Sequence, residues 1–171
     1  MKITDLKIIA QIAEEFKLVS MIDNTFATPV NQTPADFGID IIIHSATKYF
    51  GGHSDLCAGA VAGSKTNIDK IWNTAKNFGG SLSDYTVWLL ERSIKTMGLR
   101  VRAQNENALE LSRFLNSHPD IDKVYYPGLE DHPGHDIAKA QMQGFGGMLS
   151  FELSPEVDQH TFMRSLKWVK V

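Results

Sequence analysis

The sequence predicts an α/β fold, because segments with helical periodicity alternate with short apolar runs of strand length. Residues 3–16 carry apolar side chains at three- and four-residue spacings, which indicates an amphipathic helix, and residues 18–22 follow as a short apolar strand. Residues 39–43 form a second apolar run with apolar side chains on both faces. Such a run favours a parallel strand that is covered by helices on each side.

The same alternation continues through the middle of the chain. Residues 57–62 are predicted as a strand, and residues 67–78 as a helix that ends at the glycine pair 79–80, since glycine takes the left-handed cap conformation easily. The periodic stretch over residues 83–115 is too long for one ordinary helix. We therefore expect two helices or one kinked helix, with the break at Gly98 or its neighbours.

Beyond Pro119 the predicted elements become shorter, and the composition changes around residues 117–128. A domain boundary is therefore expected after residue 117. The elements predicted beyond it are strands at residues 123–126 and 148–153, helices at residues 136–143 and after Pro155, and the start of a strand at residues 168–171. Because this last segment is typical of a strand that enters further structure, we expect the chain to be incomplete.

Composition and charge exclude several classes of protein. The 171 residues include 17 Lys and Arg against 20 Asp and Glu, a net charge of −3, so nothing favours a nucleic-acid partner. No segment approaches the roughly 20 apolar residues of a membrane helix, and the first residues lack the features of a signal peptide. The single cysteine, Cys57, cannot form an internal disulfide, so we expect a small core residue in a cytoplasmic protein.

A cluster of polar residues directly follows the second predicted strand. Lys48 lies where ligands bind in open α/β sheets, just beyond the carboxyl end of a strand. Ser45 and Thr47 precede it closely and share one face of an extended backbone. A lysine amine beside two hydroxyls suits a carbonyl ligand that also carries a phosphate, because the amine forms a Schiff base while the hydroxyls donate to phosphate oxygens.

Asp23 lies at the end of the preceding predicted strand. Parallel strands deliver their carboxyl ends to the same edge of a sheet, and the spacing of Asp23 and Lys48 matches a strand, a crossover and a returning strand. We therefore expect the carboxylate and the amine to converge. This pair has a specific use with pyridoxal phosphate: the lysine holds the aldehyde, and the carboxylate keeps the pyridine nitrogen protonated.

Three motifs carry a resemblance to a known family. Residues 45–49 (Ser-Ala-Thr-Lys-Tyr) and 52–55 (Gly-His-Ser-Asp) resemble the signature around the cofactor lysine of the Cys/Met-metabolism, or trans-sulfuration, family of pyridoxal phosphate (PLP) enzymes. Residues 23–26 (Asp-Asn-Thr-Phe) resemble the pyridinium motif of that family. The similarity continues through residues 98–100, 105–108, 125–129 and 144–148, and thus covers essentially the whole chain.

The resemblance implies a role for each residue of the cluster. Lys48 is expected to form the internal aldimine with PLP and later to shuttle protons. Asp23 is expected to pair with the pyridine nitrogen, and Ser45 and Thr47 to bind the phosphate. His53 and Asp55 are expected to order the loop rather than to react.

The resemblance also implies a fold and an activity. Residues 1–117 resemble the second part of the fold-type I (aspartate aminotransferase-like) PLP domain, with a mostly parallel sheet, and residues 118–171 resemble the beginning of the α+β small domain. The implied activity is elimination or replacement on a sulfur amino acid, of the cystathionine γ-synthase or cystathionine γ/β-lyase type. Full-length relatives are homotetramers, so a homo-oligomer is implied, and the apolar residues 85–90 suit a core or a subunit interface.

The sequence also departs from the pattern of the family. Family members are considerably longer: their glycine-containing phosphate loop, ring-stacking aromatic residue and subunit-donated Tyr and Arg would lie before Met1. Their substrate-carboxylate arginine would follow Val171. Without these anion contacts we expect poor cofactor affinity and little or no turnover from these 171 residues alone.

Several alternatives remain open at this stage. The chain could instead belong to an enzyme of the methionine γ-lyase or O-acetylhomoserine sulfhydrylase type. The residues also do not distinguish elimination or replacement at the β-carbon from the same reactions at the γ-carbon. A different class is a non-catalytic interaction module, either a remnant or one half of a split protein. The histidines of residues 132–135 flank Pro and Gly, which favours a surface loop over a zinc site.

Overall fold

The structure is a computed structural model that describes residues 2–169, and helices and strands alternate along it. Helix α1 (Leu6–Glu15) begins at Asp5, whose carboxylate accepts hydrogen bonds from the backbone N–H groups of Lys7 and Ile8. Strand β1 (Met21–Asp23) follows after a short connection. Both elements were predicted from the sequence, although β1 is shorter and begins later than its apolar run.

Three strands form a mixed sheet in the order β1, β2 (Ile41–Ser45), β3 (Gly59–Gly63). Strands β1 and β2 are parallel, and Asp23 lies opposite Ile43. Strand β3 runs antiparallel to β2, because the connection over residues 46–58 is a set of turns and loops rather than a crossover helix. The predicted α/β class is confirmed, and the parallel pair carries the carboxyl ends of β1 and β2 to one edge.

The connection between β1 and β2 contains two short helical segments that the sequence analysis missed. They are helix α2 (Thr28–Asn31) and a 3-10 turn (Pro34–Phe37), each with a proline in its first turn. Gly38, at φ +88°, ends the second segment in the left-handed conformation that glycine tolerates. These segments are too short to show a helical periodicity in the sequence.

Three longer helices follow the sheet. Helix α3 (Lys65–Phe78) is capped by the Ser64 hydroxyl and ends at Gly79, which is left-handed as predicted. The long periodic stretch is two helices, α4 (Asp84–Ile94) and α5 (Met97–Asn116), which confirms the expected break just before Gly98.

The remaining residues form a second, smaller sheet. Strands β4 (Ile121–Tyr125) and β5 (Ser150–Leu153) are antiparallel, with helix α6 (His135–Gln141) between them and helix α7 (Gln159–Ser165) after them. The expected strand at residues 168–171 is absent where the structure describes it, since Trp168 and Val169 lie in a bend, and residues 170–171 lie outside the described residues.

A hydrophobic cluster joins α5 to the second sheet. It comprises Ala108, Val124, Tyr126 and Leu129, with Phe145 and Phe151 among the partly buried side chains packed against it. Tyr126 is fully buried, and its hydroxyl donates to Gly146 O over 2.9 Å. Burial raises the pKa of Tyr126 to about 12, so the hydroxyl keeps its proton at neutral pH.

Large apolar side chains are also exposed on the surface. Helix α4 presents Tyr85 and Trp88, whose rings lie 6.0 Å apart. The three tryptophans, Trp72, Trp88 and Trp168, are 59%, 56% and 95% exposed.

Within residues 2–169, no helix is both long enough and apolar enough to span a bilayer.

Candidate active site

The lysine turn, residues 46–52, reverses the chain directly after β2. Its backbone forms hydrogen bonds from Lys48 N to Ser45 O (3.0 Å), from Gly51 N to Ala46 O (2.8 Å) and from Gly52 N to Lys48 O (2.6 Å). The turn thus places Lys48 beyond the carboxyl end of the central strand, which is the position expected from the sequence.

The Lys48 side chain is exposed and lines an open cleft of about 760 Å³. Its amine forms no hydrogen bond or ion pair with any residue from 2 to 169. Lys65 and Lys95, by contrast, are each paired with a carboxylate one helical turn away. The Lys48 amine is therefore available to a ligand. Other side chains along this cleft are those of Phe26, Thr47, Tyr49, Cys57, Arg100, Gln104 and Met148.

Ser45 and Thr47 stand in different surroundings. The Thr47 hydroxyl accepts from Ala58 N (3.0 Å) and donates to Ala58 O (3.3 Å), and Thr47 N also donates to Ala58 O (3.1 Å). Thr47 therefore fastens the lysine turn to the chain that returns toward β3. The Ser45 hydroxyl forms no hydrogen bond among the described residues, so its proton is available to an anion.

Asp23 opens a second turn, residues 23–32, called here the aspartate turn. Asn24 N donates to Ile43 O (2.8 Å), and Ser45 N donates to the Thr25 hydroxyl (2.7 Å). These bonds fix the ends of β1 and β2 side by side. Hydrogen bonds from the side chain and the backbone of Thr25 hold the pKa of Asp23 below its usual value of 3.8, with a smaller contribution from His44. The carboxylate is therefore ionised at neutral pH.

The structure brings Asp23 and Lys48 to the same edge of the sheet, but their side chains line adjoining clefts. Asp23 borders a second cleft of about 470 Å³. Phe26 and Met148 line both clefts, and the Phe26 ring meets the Tyr49 ring edge-on with centroids 6.4 Å apart. Phe26 thus stands between the carboxylate side and the amine side of the site.

His44 is a buried neighbour that the sequence analysis did not single out. It is 6% exposed, its ring lies 4.7 Å from that of Phe50, and its Nδ1 has no hydrogen-bond partner among the described residues. Burial lowers the pKa of His44, while the Asp23 carboxylate opposes that shift. The imidazole is thus neutral at neutral pH. The apolar sequence around His44 predicts only a strand, and it does not indicate a buried imidazole close to Asp23.

Two further side chains of the cleft differ from expectation or went unassigned. Cys57 was expected in the core, but it is exposed and lines the cleft, because β3 begins only at Gly59. Arg100, on α5, donates from Nη1 to Tyr49 O (2.9 Å) and from Nη2 to Phe50 O (3.4 Å). No local pattern signals this contact, since 51 residues separate Arg100 from Tyr49.

His53 orders the loop after the lysine turn. Its Nδ1 lies 2.7 Å from Gly51 O, within the same short segment, and Asp55 lines the cleft beyond it. This contact favours the loop-ordering role that the sequence analysis assigned to His53.

A network of neutral amides supports the aspartate turn. Asn31 and Asn105 form two reciprocal hydrogen bonds of 3.0 and 2.7 Å, and Gly146 N donates to the Asn105 side chain (3.1 Å). Gln32 donates to Asn24 Oδ1 (2.8 Å) and accepts from Gln141 (3.2 Å). The aspartate turn is thereby connected to α5 and to residues 141–146.

The geometry combines a ligand-ready amine, an ionised carboxylate and an unbonded hydroxyl at one edge of a sheet. An amine in this position can hold a carbonyl carbon, a carboxylate can hold a protonated ring nitrogen, and the hydroxyl can donate to an anion. These are the functions that an aldehyde cofactor with a phosphate requires. The residues present therefore fit PLP.

Comparison with known proteins agrees with this fit. The sequence pattern of the family described as "Cys/Met metabolism PLP-dependent enzyme" matches residues 1–171. A cystathionine gamma-lyase of Bacillus subtilis is 45% identical over 168 residues, which are 98% of this chain and 44% of that protein. A cystathionine beta-lyase of Lactococcus lactis is 46% identical over 169 residues, again 98% of this chain and 44% of the relative.

The solved structures agree in fold as well. The cystathionine gamma synthase of Xanthomonas oryzae, in complex with aminoacrylate and cysteine, superposes with a TM-score of 0.94 at 36% identity. That superposition covers 99% of this chain and 44% of the synthase chain. The chain thus spans less than half the length of the relatives it matches.

Proposed function

The chain belongs to the Cys/Met metabolism PLP-dependent enzyme family, and from this premise we propose that it supplies the lysine and aspartate of a trans-sulfuration active site. The reaction is elimination or replacement on a sulfur amino acid of the cystathionine type. The observation that carries this proposal is the Lys48 amine, unbonded in the cleft beyond β2, at the sheet edge where Asp23 also lies.

The proposed cofactor contacts follow from the state of each side chain. Lys48 Nζ would hold PLP through its aldehyde carbon, and the ionised Asp23 carboxylate would accept a hydrogen bond from the protonated pyridine nitrogen. Ser45 donates to the phosphate. Thr47 does so by turning its proton away from Ala58 O, where the present bond is 3.3 Å and thus near the long end of the range.

The chemistry divides between cofactor and protein. When bound, PLP withdraws electrons from the α-carbon of an amino acid and so makes its proton acidic. Lys48 Nζ would take that proton and return it at a later stage. Because the amine has no competing bond among residues 2–169, its motion is limited by the lysine turn rather than by a salt bridge.

The arrangement of the whole protein is part of the proposal. Residues 1–117 belong to the large PLP domain and residues 118–171 begin the small domain. The protein is a homo-oligomer, supported by the exposed Tyr85 and Trp88 on α4, since exposed aromatic clusters mark contact surfaces. A reducing compartment such as the cytoplasm suits its single cysteine.

The experiment that tests the function is cofactor attachment. Purified protein is titrated with PLP and reduced with borohydride, and the labelled lysine is located by peptide mass. We expect one label, on Lys48, which Lys48→Ala abolishes. Lys65→Ala is the matched control, because Lys65 is also exposed but is paired with Asp69, and it should leave the label unchanged. Labels scattered over surface lysines, with none preferred at Lys48, would contradict the proposal.

A further inference from the structure

The Lys48 side chain forms no hydrogen bond or ion pair among the described residues. The position of its amine therefore depends on the contacts that hold the backbone of residues 46–52. The turn forms three internal backbone hydrogen bonds, and Thr47 fastens its first half to Ala58. The carbonyls of Tyr49 and Phe50, which follow Lys48 directly, take no part in these bonds and accept from Arg100. The second half of the turn is therefore held from α5.

The Arg100 guanidinium forms more hydrogen bonds than is usual for an arginine at a protein surface. Besides the two carbonyls of the turn, its guanidinium donates to Ser93 O (Nη2, 3.1 Å) and to the Thr96 hydroxyl (Nε, 3.1 Å). No carboxylate pairs with it among the described residues. All of its observed hydrogen bonds thus go to neutral oxygens, which lie in the lysine turn and at the break between α4 and α5.

The close packing of Gly52 against Arg100 is a second observation, and it concerns steric contact rather than hydrogen bonding. Gly52 has φ +73°, and a Cβ atom there would collide with Arg100 Nη1 and lie 2.6 Å from Arg100 Cζ. The turn therefore closes directly against the guanidinium group. A turn that merely passed near α5 would leave room for a side chain at this position.

From these contacts we infer that Arg100 is a positioning residue for Lys48: its guanidinium fork fixes the backbone after Lys48 and so sets where the amine enters the cleft. The inference rests on the proposed function of Lys48. A planar fork can reach two successive carbonyls and the α4–α5 break at once, whereas a lysine ammonium cannot. Proton transfer by Lys48 depends on its alignment, so a shifted turn slows the reaction more than it weakens binding.

The test compares Arg100→Lys with the wild-type protein and with Arg102→Lys as the matched control. Arg102 lies on the same helix, is exposed and forms no hydrogen bond or ion pair among the described residues. For Arg100→Lys, assayed in the active full-length protein that contains these residues, we expect kcat for sulfur amino-acid turnover to fall about 10- to 100-fold, the scale of a misplacement of about 1 Å. KM should change by less than about threefold, since substrate contacts remain.

A structural readout that does not require turnover accompanies the kinetics. Hydrogen exchange, measured by mass spectrometry, should accelerate about tenfold or more in peptides covering residues 46–52 of Arg100→Lys, because the backbone of the turn opens more often. Peptides from α3 should exchange as in the wild type. Arg102→Lys should match the wild type in both measurements.

Two results would overturn the inference. The first is an Arg100→Lys variant whose lysine turn exchanges as in the wild type and whose kcat lies within about twofold of the wild type. A lysine ammonium would then serve as well as the guanidinium, and the two-pronged geometry of Arg100 would not position Lys48. If Arg100→Lys fails to fold, Gly52→Ala is the second variant: it strains the left-handed position 52 and also displaces the guanidinium, so it should give at least the same pattern. Wild-type behaviour of Gly52→Ala is the second result that would overturn the inference. Failure of the proposed function is distinguishable, because it removes the Lys48 label from the wild type yet leaves the exchange difference intact.

Discussion

The lysine turn and the aspartate turn lie side by side at one edge of the sheet, but they are held by different chemistry. The lysine turn depends on a charged guanidinium, which donates to the carbonyls of Tyr49 and Phe50. The aspartate turn depends on neutral amides, with the Asn31–Asn105 pair at its centre. The lysine turn is thus held by α5 and by Ala58, and the aspartate turn by α5 together with residues 141–146.

This difference teaches that the two halves of the site can be disturbed separately. Among the described residues, Arg100 donates to the lysine turn and forms no hydrogen bond with the aspartate turn, whereas the Asn105 side chain bonds to the aspartate turn and not to the lysine turn. Thr25 and Phe26 link the two halves directly, since the Thr25 hydroxyl accepts from Ser45 N at the end of β2 and the Phe26 ring meets that of Tyr49. Variants placed on either side should therefore affect one turn more than the other.

The largest effect is expected for Gly144→Ala. The added Cβ would collide with Asn105 Nδ2 and lie 2.5 Å from Asn31 Oδ1, so it would force the amide pair apart. We expect a loss of about 2–4 kcal/mol in the free energy of unfolding, from overpacking together with broken buried hydrogen bonds. Thermal unfolding followed by far-UV circular dichroism measures this loss.

Gly80→Ala is the control for that variant. Apart from its chain neighbours, an added Cβ at Gly80 would meet only Ala75 Cβ, at 3.9 Å. Its stability should stay within about 1 kcal/mol of the wild type. Hydrogen exchange in the lysine turn of Gly144→Ala should remain slow; equal acceleration in both turns would show that the two halves are not separately held.

A smaller effect is expected for Asn105→Ala, which removes the side chain without adding a clash. Asn31, only 2% exposed, would lose both of its hydrogen bonds to that side chain, and Gly146 N would lose its acceptor. The cost should be about 1–3 kcal/mol, the penalty for buried polar groups without partners.

A double-mutant cycle with Asn31→Ala isolates the pair. We expect a coupling free energy of at least about 0.5 kcal/mol, because the two amides exchange two hydrogen bonds with each other. Additive losses would mean that the pair contributes nothing beyond its separate packing. The same cycle between Asn105→Ala and Arg100→Lys should be additive, since they serve different turns.

The smallest effect concerns the acid range and tests the link at Thr25. The pKa of Asp23 lies below 3.8 in the folded protein, so its contribution to stability is complete above that value and is lost as the pH falls through the folded pKa. Thr25→Val removes the hydroxyl that lowers this pKa. The variant should therefore lose less stability than the wild type on acidification below pH 3.8.

Unfolding midpoints measured from about pH 6 to pH 2 would show this as a stability difference that narrows in acid. The lost hydrogen bond from Ser45 N should appear as a constant offset at all pH values. A difference that widens toward low pH would show that Asp23 is not the group stabilised by Thr25.

The sequence was informative where the signal is local. The apolar run at residues 39–43, the break before Gly98 and the cap at Gly79 all reflect side chains that act on their own segment, and each is found in the structure. The position of Lys48 directly after the central strand was also predictable, because it depends only on where that strand ends along the chain.

Contacts between distant segments were not predictable from one sequence. Asn31 and Asn105 are 74 residues apart, and nothing in either neighbourhood indicates a reciprocal amide pair. The direction of β3 depends on the path of residues 46–58, which apolar patterning does not encode. Cys57 illustrates the same point: it belongs to a run of strand composition, yet the hydrogen-bonded strand begins after it and leaves it in the cleft.

The exposure of all three tryptophans decides how these stability changes can be observed. Trp72, Trp88 and Trp168 are each more than half exposed in the folded protein. Their indole rings already contact water, so unfolding should shift their fluorescence emission very little. A melting curve recorded by tryptophan emission would therefore have a small amplitude, whereas the helices of residues 2–169 provide a circular-dichroism signal that disappears with the fold.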